Sequence, residues 1–423
     1  MSEVVYGRTK IDGITLFLYL ALVLCGFLSI YSSSHGTETF AFDLSTKWGK
    51  QLIWIGISIF LGSILFLIDV RFFEVFSYPI FIFWMVLLFL VIFLGKEVNG
   101  ARSWFAIGGF RLQPAEFAKF GVALAISRYV SDIDTDMRSF RHQLISAAII
   151  LLPVVLIVLQ GDAGSGLVFF SFAMVLYREG LSGTILVIGI VTIALAILTI
   201  RFGFVSIIGS LLVLGGVVSA FVYTNTKRLK LAWLIILFSV VFSKVVDFGF
   251  STVLQQHQQK RIMVMLGLLE DPQGFGYNVN QSKIAIGSGG LTGKGYLQGT
   301  QTKGDFVPEQ HTDFIFTTVG EEFGWLGSTL VILLFVGLFM RISILAERQR
   351  SKYSRVFAYS VLSILFFHFL INVGMTINLA PVIGIPLPFF SYGGSSLISF
   401  TILVFLLLRL DANRENELDS TNY

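Results

Sequence analysis

The sequence predicts an all-α polytopic membrane protein with about twelve transmembrane helices, and three observations carry that reading. Of 423 residues, 55% are hydrophobic and only 13% charged, with a mean hydropathy of +0.81. That is too apolar for a soluble domain of this length. Apolar runs close to the roughly 20 residues needed to cross a bilayer recur along the chain. Basic residues also concentrate in alternate connections between those runs, as they do where loops face the cytoplasm.

The first run, 13–33, follows a polar leader and lacks a small-residue cleavage site, so it is a retained span rather than a signal peptide. Cys25, the only cysteine, lies within it, which excludes an intrachain disulfide. Runs at 52–68 and 76–94 follow. The segment 114–129 is short and polar; Pro114 suits a first helical turn and marks its start. Next come 144–159, the short 164–177, then 184–200, 204–223 and 229–246. A polar stretch of about sixty residues, 250–312, precedes the last three runs at 313–340, 356–376 and 389–408.

With the N-terminus in the cytoplasm, Arg71, the Arg128/Arg138/Arg141 loop, Arg178 and the Lys227/Arg228/Lys230 loop all fall inside. So does the connection carrying Arg341, Arg348, Arg350, Lys352 and Arg355, the strongest single indicator. Lys96, Arg102 and Arg111 oppose this from one outer connection. The balance predicts both termini inside and 250–312 outside, a large extracytoplasmic loop before the third-last helix. A net charge of +4, scattered along the chain, gives no sign of a nucleic-acid partner.

Within that loop, 255–269 carries apolar residues at helical spacing (Ile262, Met265, Leu266, Leu269) and predicts a helix at the membrane surface or an extension of the preceding span. Gly287-Ser288-Gly289-Gly290-Leu291-Thr292-Gly293-Lys294-Gly295 lacks the first glycine and the terminal Ser/Thr of a phosphate loop, so no nucleotide is expected. Its glycines suit either a close backbone approach to a diphosphate or a flexible surface loop. Pro308-Glu309-Gln310-His311-Thr312-Asp313-Phe314-Ile315-Phe316 places an imidazole and two carboxylates where the loop enters the membrane, with Glu321 and Glu322 behind. In the fourth segment Glu116 and Lys119 are spaced to pair on one helix face. Charges in lipid are costly, so the two should face protein or a water-filled cavity, as a structural pair or a substrate site.

Four separated stretches resemble the SEDS (shape, elongation, division and sporulation) family of bacterial membrane proteins. They are Asn99-Gly100-Ala101-Arg102-Ser103-Trp104 with Gln113-Pro114-Ala115-Glu116-Phe117-Ala118-Lys119; Gln281-Ser282-Lys283-Ile284-Ala285-Ile286-Gly287-Ser288-Gly289-Gly290; the Pro308–Phe316 segment with Glu321-Glu322; and Pro386-Leu387-Pro388-Phe389-Phe390-Ser391-Tyr392-Gly393-Gly394-Ser395-Ser396. Arg261-Ile262 followed by Asp271-Pro272, and Gly299-Thr300-Gln301-Thr302, resemble the RodA branch more than the FtsW division branch. Two features depart from the pattern. Gln160-Gly161-Asp162-Ala163-Gly164 stands where the family commonly has Gln-Pro-Asp-Leu-Gly, and 184–246 holds three apolar runs where one is expected. The resemblance thus implies a single membrane domain over 1–423: a family core of ten spans plus an extra hairpin within 184–246.

It further implies a peptidoglycan glycosyltransferase that polymerises lipid II in the bacterial cytoplasmic (inner) membrane during cell elongation. Its active site would be extracytoplasmic, and its partners a class B penicillin-binding protein and other elongation-complex membrane proteins. Extending a glycan from a lipid diphosphate needs a base for the attacking sugar hydroxyl and positive charge for the departing diphosphate. Asp313 matches the family's essential aspartate, as that base or as ligand of a divalent cation such as Mg or Mn; its bland alternative is an acid stabilised by a helix N-terminus. His311 suits orienting neighbours or binding substrate. Arg102, Lys294 and Lys303 are candidates for the diphosphate, with arginine the better fork for paired oxygens. Glu321 and Glu322 either face a cavity or are buried and hydrogen-bonded. Glu116, Lys119, Asp162 and Ser391, at matched positions, complete the substrate-site candidates; neither nucleotide nor haem is expected. The rival class is a lipid II flippase without transferase chemistry, favoured by the intramembrane pair and Gly/Pro-interrupted helices. A scaffold that only recruits a synthase leaves the charged residues unexplained.

Overall fold

A computed structural model describes residues 11–34, 46–98, 100–107, 110–222, 224–254, 256–269, 275–304 and 306–414. The branch-marking Asp271-Pro272 pair, Asn99, the polar leader before residue 11 and the tail after residue 414 lie outside these.

In chain order the helices are α1 (Gly13–Ser34), α2 (Lys47–Ile64), α3 (Val70–Val75), α4 (Ser77–Leu94), α5 (Pro114–Ser131), α6 (Phe140–Leu159), α7 (Ala163–Leu167), α8 (Phe172–Arg178), α9 (Gly183–Phe202), α10 (Phe204–Val222), α11 (Thr226–Phe248), α12 (Gln256–Met265), α13 (Phe275–Ser288), α14 (Thr300–Lys303), α15 (Ile315–Glu347), α16 (Lys352–Thr376) and α17 (Gly394–Asn413). Ten helices among the described residues are long and apolar enough to cross a membrane. They account for ten of the twelve predicted segments. The other two are helical as well. Segment 114–129 is α5, which carries Glu116, Lys119 and Arg128, and 164–177 is the shorter Ala163–Arg178, interrupted by a 3₁₀ turn at Val168–Ser171.

One feature breaks the all-helical expectation. Lys96–Val98 (β1), Ala101–Ile107 (β2) and Phe110–Leu112 (β3) form a small antiparallel sheet in the order β1-β2-β3, with Phe105 opposite Leu112 and Ala106 opposite Arg111. It is held to the chain around residue 160 by Arg102 N–H donating to Gln160 O at 2.9 Å.

The chain packs as two compact units, Met1–Leu181 with Asn278–Tyr423, and Ser182–Tyr277. In the smaller unit α9, α10 and α11 pack on one another, and a π turn at Gly249–Val253 ends α11. Most of their apolar side chains face outward, as spans in lipid require. The family-core expectation placed one span where these three helices stand.

In the larger unit α5 and α17 form the centre: nearly every α5 side chain from Pro114 to Ser127 is buried, and so is most of α17. At one end, charges tie helix termini together. Asp12 pairs with Arg341, while Asp411, fully buried, takes Arg348 and Arg414. Burial pushes the Asp12 carboxyl up, but hydrogen bonds from Arg341 and Thr15 outweigh it and hold the group well below the usual carboxylate range.

Candidate active site

The site is built where three connecting segments meet: 306–314 before α15, 377–393 between α16 and α17, and 289–304, which includes the short α14. Irregular backbone at membrane depth persists only when buried in protein, since lipid offers its polar groups no partners. The later part of the 377–393 loop meets that condition. Ile385, Leu387, Phe389, Phe390 and Ser391 are all buried.

The segment carrying Asp313 is pinned at each successive carbonyl. His311 O accepts from Tyr392 N–H at 2.8 Å, Thr312 O from Ser391 Oγ at 2.6 Å, and Asp313 O from Asn372 Nδ2 at 2.9 Å. Upstream, Gln310 Nε2 donates to Ser33 O and Thr302 O, and His311 Nδ1 lies 2.9 Å from Ser33 Oγ at the end of α1. Glu309 adopts φ +56°, closing the turn whose N–H donors come from Thr312 and Phe314. The Asp313 carboxylate faces Gly384, where a Cβ would stand 3.4 Å from Oδ2. A half-buried carboxylate on a strap fixed at three carbonyls is held in a defined position.

The other predicted residues separate into roles. Ser391 accepts from Leu387 N–H and donates to Thr312 O, so it shapes the strap. Lys119 Nζ lies 2.8 Å from Glu116 Oε2 and 2.8 Å from His368 Nε2, and 4.8 Å from the centre of the Phe400 ring. Glu116 and Lys119 are each 2% exposed. The pair expected to line a cavity is therefore enclosed between α5, α16 and α17, with Ser399 Oγ donating to Glu116 O. Asp162 caps α7 through Ser165 N–H and Oγ, and receives Gln113 Nε2 at 3.0 Å.

Glu321 is fully buried and accepts from five donors: Lys294 Nζ, Thr300 Oγ1, Gln301 N–H, Thr302 N–H and Thr302 Oγ1, at 2.7–3.2 Å. Glu322 accepts from Ser32 Oγ. Of the two roles open to them, these carboxylates take the buried, hydrogen-bonded one, and Glu321 holds the 294–302 segment. Lys294 is thereby committed to Glu321. Arg102 pairs with Glu97 at 3.3 Å on the sheet, both more than half exposed, and Lys303 is exposed at the end of α14. A surface ion pair of that kind is worth about 0–1 kcal/mol, so Arg102 can exchange partners at little cost.

Two N–H groups of the glycine-rich run are engaged by α15, Lys294 N–H with Glu321 O and Gly295 N–H with Glu322 O, both at 3.0 Å. In return Trp325 N–H and Leu326 N–H donate to Gly290 O and Leu291 O. This exchange occurs where α15 breaks, at Gly324 with φ +61° and ψ −153°. A Cβ at Gly324 would stand 2.4 Å from Gly293 N, and one at Gly293 would stand 2.1 Å from Glu322 O. Only glycine fits either position.

Among the described residues no three His, Cys, Asp or Glu side chains gather in a way that could hold a metal ion.

The family model for cell cycle proteins of the FtsW, RodA and SpoVE type matches residues 13–210 and 206–416. The chain belongs to this family. As a SEDS protein it is 32% identical to the peptidoglycan glycosyltransferase MrdB of Escherichia coli K12 over 394 residues, 93% of this chain and 91% of that one. It is 30% identical to the peptidoglycan glycosyltransferase RodA of Treponema pallidum, covering 96% and 99% of the two chains. Its fold matches a chain in a solved peptidoglycan synthase complex, described for its coordination of polymerization and crosslinking, with a TM-score of 0.70, 25% identity and coverage of 96% and 98%. These likenesses place the SEDS chain on the RodA branch.

Residues that sequence reasoning missed are Asn372, His368, Ser33 and Gln310. Asn372 and His368 were detectable as two polar residues four apart in an otherwise apolar span; the partners of Ser33 and Gln310 lie far away in sequence.

Proposed function

We infer that this chain is a peptidoglycan glycosyltransferase that extends glycan strands from lipid II, with Asp313 as the base. The observation that carries the role of Asp313 is the strap pinned at His311, Thr312 and Asp313, which presents one carboxylate in fixed register at the mouth of the last three spans. In the step itself the Asp313 carboxylate takes the proton of the attacking sugar hydroxyl as that oxygen bonds to the anomeric carbon of the second sugar. The bond from that carbon to the diphosphate breaks, and the electron pair leaves with the lipid diphosphate. Arg102 and Lys303, the exposed cations, are the groups offered to that developing charge. A divalent cation, Mg or Mn, would travel with the substrate's diphosphate.

The same reading puts the chain in the bacterial cytoplasmic membrane, both termini inside and 250–312 outside, beside a class B penicillin-binding protein and other elongation-complex proteins. The solved synthase complex that it resembles is the support for the first partner. Enclosure of Glu116 and Lys119 weakens the flippase reading, because the pair that suited transport is shut off from any aqueous path in this structure.

The test is polymerisation of labelled lipid II by purified protein at matched folding. Asp313→Asn should lose about 10²–10⁴-fold in rate, and Asp313→Glu should retain part of the rate, with EDTA arms exposing any cation requirement. Wild-type rates from Asp313→Asn would sink the base role of Asp313, whereas no polymer from the parent protein would favour the flippase. Orientation is checked by a cysteine at the exposed Gln298 in a Cys25→Ser background. Labelling of intact cells by an impermeant maleimide is expected, and labelling only after lysis would reverse the topology.

A further inference from the structure

Asn372 lies in α16, fully buried, and its amide nitrogen donates to two main-chain carbonyls: Asp313 O at 2.9 Å and Ile385 O at 2.7 Å. Only the nitrogen of an amide can serve two carbonyl oxygens, so its orientation is fixed. Its Oδ1 then has no hydrogen-bond partner among the described residues. A buried acceptor left unpaired is destabilising, so what the position supplies is the pair of donors. One turn earlier on the same helix face, His368 Nδ1 lies 3.0 Å from Pro386 O while its Nε2 faces Lys119. Helix α16 therefore grips Ile385 and Pro386 in succession. Gly384, just before them, is the wall against which the Asp313 carboxylate rests.

The other two carbonyls of the strap, on His311 and Thr312, are held by the 377–393 loop itself. Asn372 alone among these three clamps comes from a long helix, and sites supported by regular elements hold geometry better than sites supported by loops. We propose that Asn372 is a positioning residue for glycosyl transfer: by bonding Asp313 O and Ile385 O together it sets where the Asp313 carboxylate stands relative to its substrate. The proposal rests on the reading of Asp313 as the base. Losing the clamp leaves the carboxylate in place chemically but frees it to drift, and a misplacement of about 1 Å can cost roughly 10²-fold in rate.

The experiment compares full-length parent, Asn372→Leu and Asp313→Asn, purified in detergent, for kcat and KM on labelled lipid II and for hydrogen exchange in peptides spanning 306–316. Asn372→Leu keeps the volume and removes both donors. The expected result is a kcat lower by about 10²-fold with KM within about threefold, and faster exchange confined to 306–316. A parent-like kcat, or a raised KM at unchanged kcat, overturns the positioning role. If Asn372→Leu does not fold, Asn372→Ser, which keeps one donor, must show the same split in milder form. Should that variant also fail to fold, Asn372 serves folding and the proposal is overturned. An active Asp313→Asn sinks the base reading itself, whereas an inactive Asp313→Asn beside a normal Asn372→Leu sinks only the inference drawn here.

Discussion

Removing one partner from the enclosed Glu116–Lys119 pair should cost more than removing both. At 2.8 Å the gross attraction is about 6 kcal/mol at an effective dielectric of 20. Most of that offsets the loss of hydration, so the intact pair adds little net stability. Lys119→Met, however, leaves the Glu116 carboxylate at 2% exposure with no cation, and strands the Nε2 face of His368. Stranding a buried charge costs about 3–5 kcal/mol. For a chain of this length that corresponds to a fall of roughly 3–6 °C in unfolding midpoint. Glu116→Gln should do similar damage by leaving Lys119 over the Phe400 ring with only the imidazole. Glu116→Gln combined with Lys119→Met removes both charges and should recover at least about 2 kcal/mol of the summed loss. The assay is a double-mutant cycle on thermal unfolding of the purified protein. Single effects that add to within about 0.5 kcal/mol would refute the coupling, and with it the argument that the two charges are enclosed together.

Two further outcomes follow from local geometry. Gly161 sits at φ +83°, which proline, locked near −65°, cannot adopt, so Gly161→Pro, although it restores the pattern common in the family, should lower the unfolding midpoint of this chain; a variant as stable as the parent would show that the turn rearranges freely. Asp12 is held below its unfolded value of about 3.9, so it adds stability that is complete above that pH and is lost as pH falls. Asp12→Asn should therefore flatten the acid side of a midpoint-against-pH curve, and an unchanged slope would count against the Arg341 pairing as its cause.

The spans were legible because lipid imposes a length and an apolarity that a single sequence displays without any partner. Pro114 marked the start of α5 for a similar reason, since its missing N–H suits a first turn, and the i,i+3 spacing of Glu116 and Lys119 survives as a bond. The Gln-rich stretch read as a helix over 255–269 is α12. What escaped were features set by distant residues. The apolar run resumes directly after Glu321-Glu322 in α15, so the break at Gly324 was not separated from it, being stabilised by carbonyls some thirty residues earlier. The strap around Asp313 depends on Asn372, Ser391 and Tyr392, which nothing local to 308–316 announces. The sheet at 96–112 was hidden because its strands are short and were scanned only as a connection between spans. Lys294 and the two glutamates looked chemically eligible for substrate, and only their geometry shows Lys294 bonded to Glu321 and Glu322 bonded to Ser32.

The interlock of Gly293 with Gly324 also bears on how such proteins can diverge and be engineered. The segment 289–304 and the opening turns of α15 fit as two halves of one moulded part: neither tolerates an added side chain at the seam, and each gives the other two main-chain hydrogen bonds. A chimera that exchanges this segment between relatives must therefore carry the head of the following helix with it, through Leu326. A graft cut at the membrane surface, where a topology diagram invites the splice, would separate a loop from the helix head it was shaped to meet.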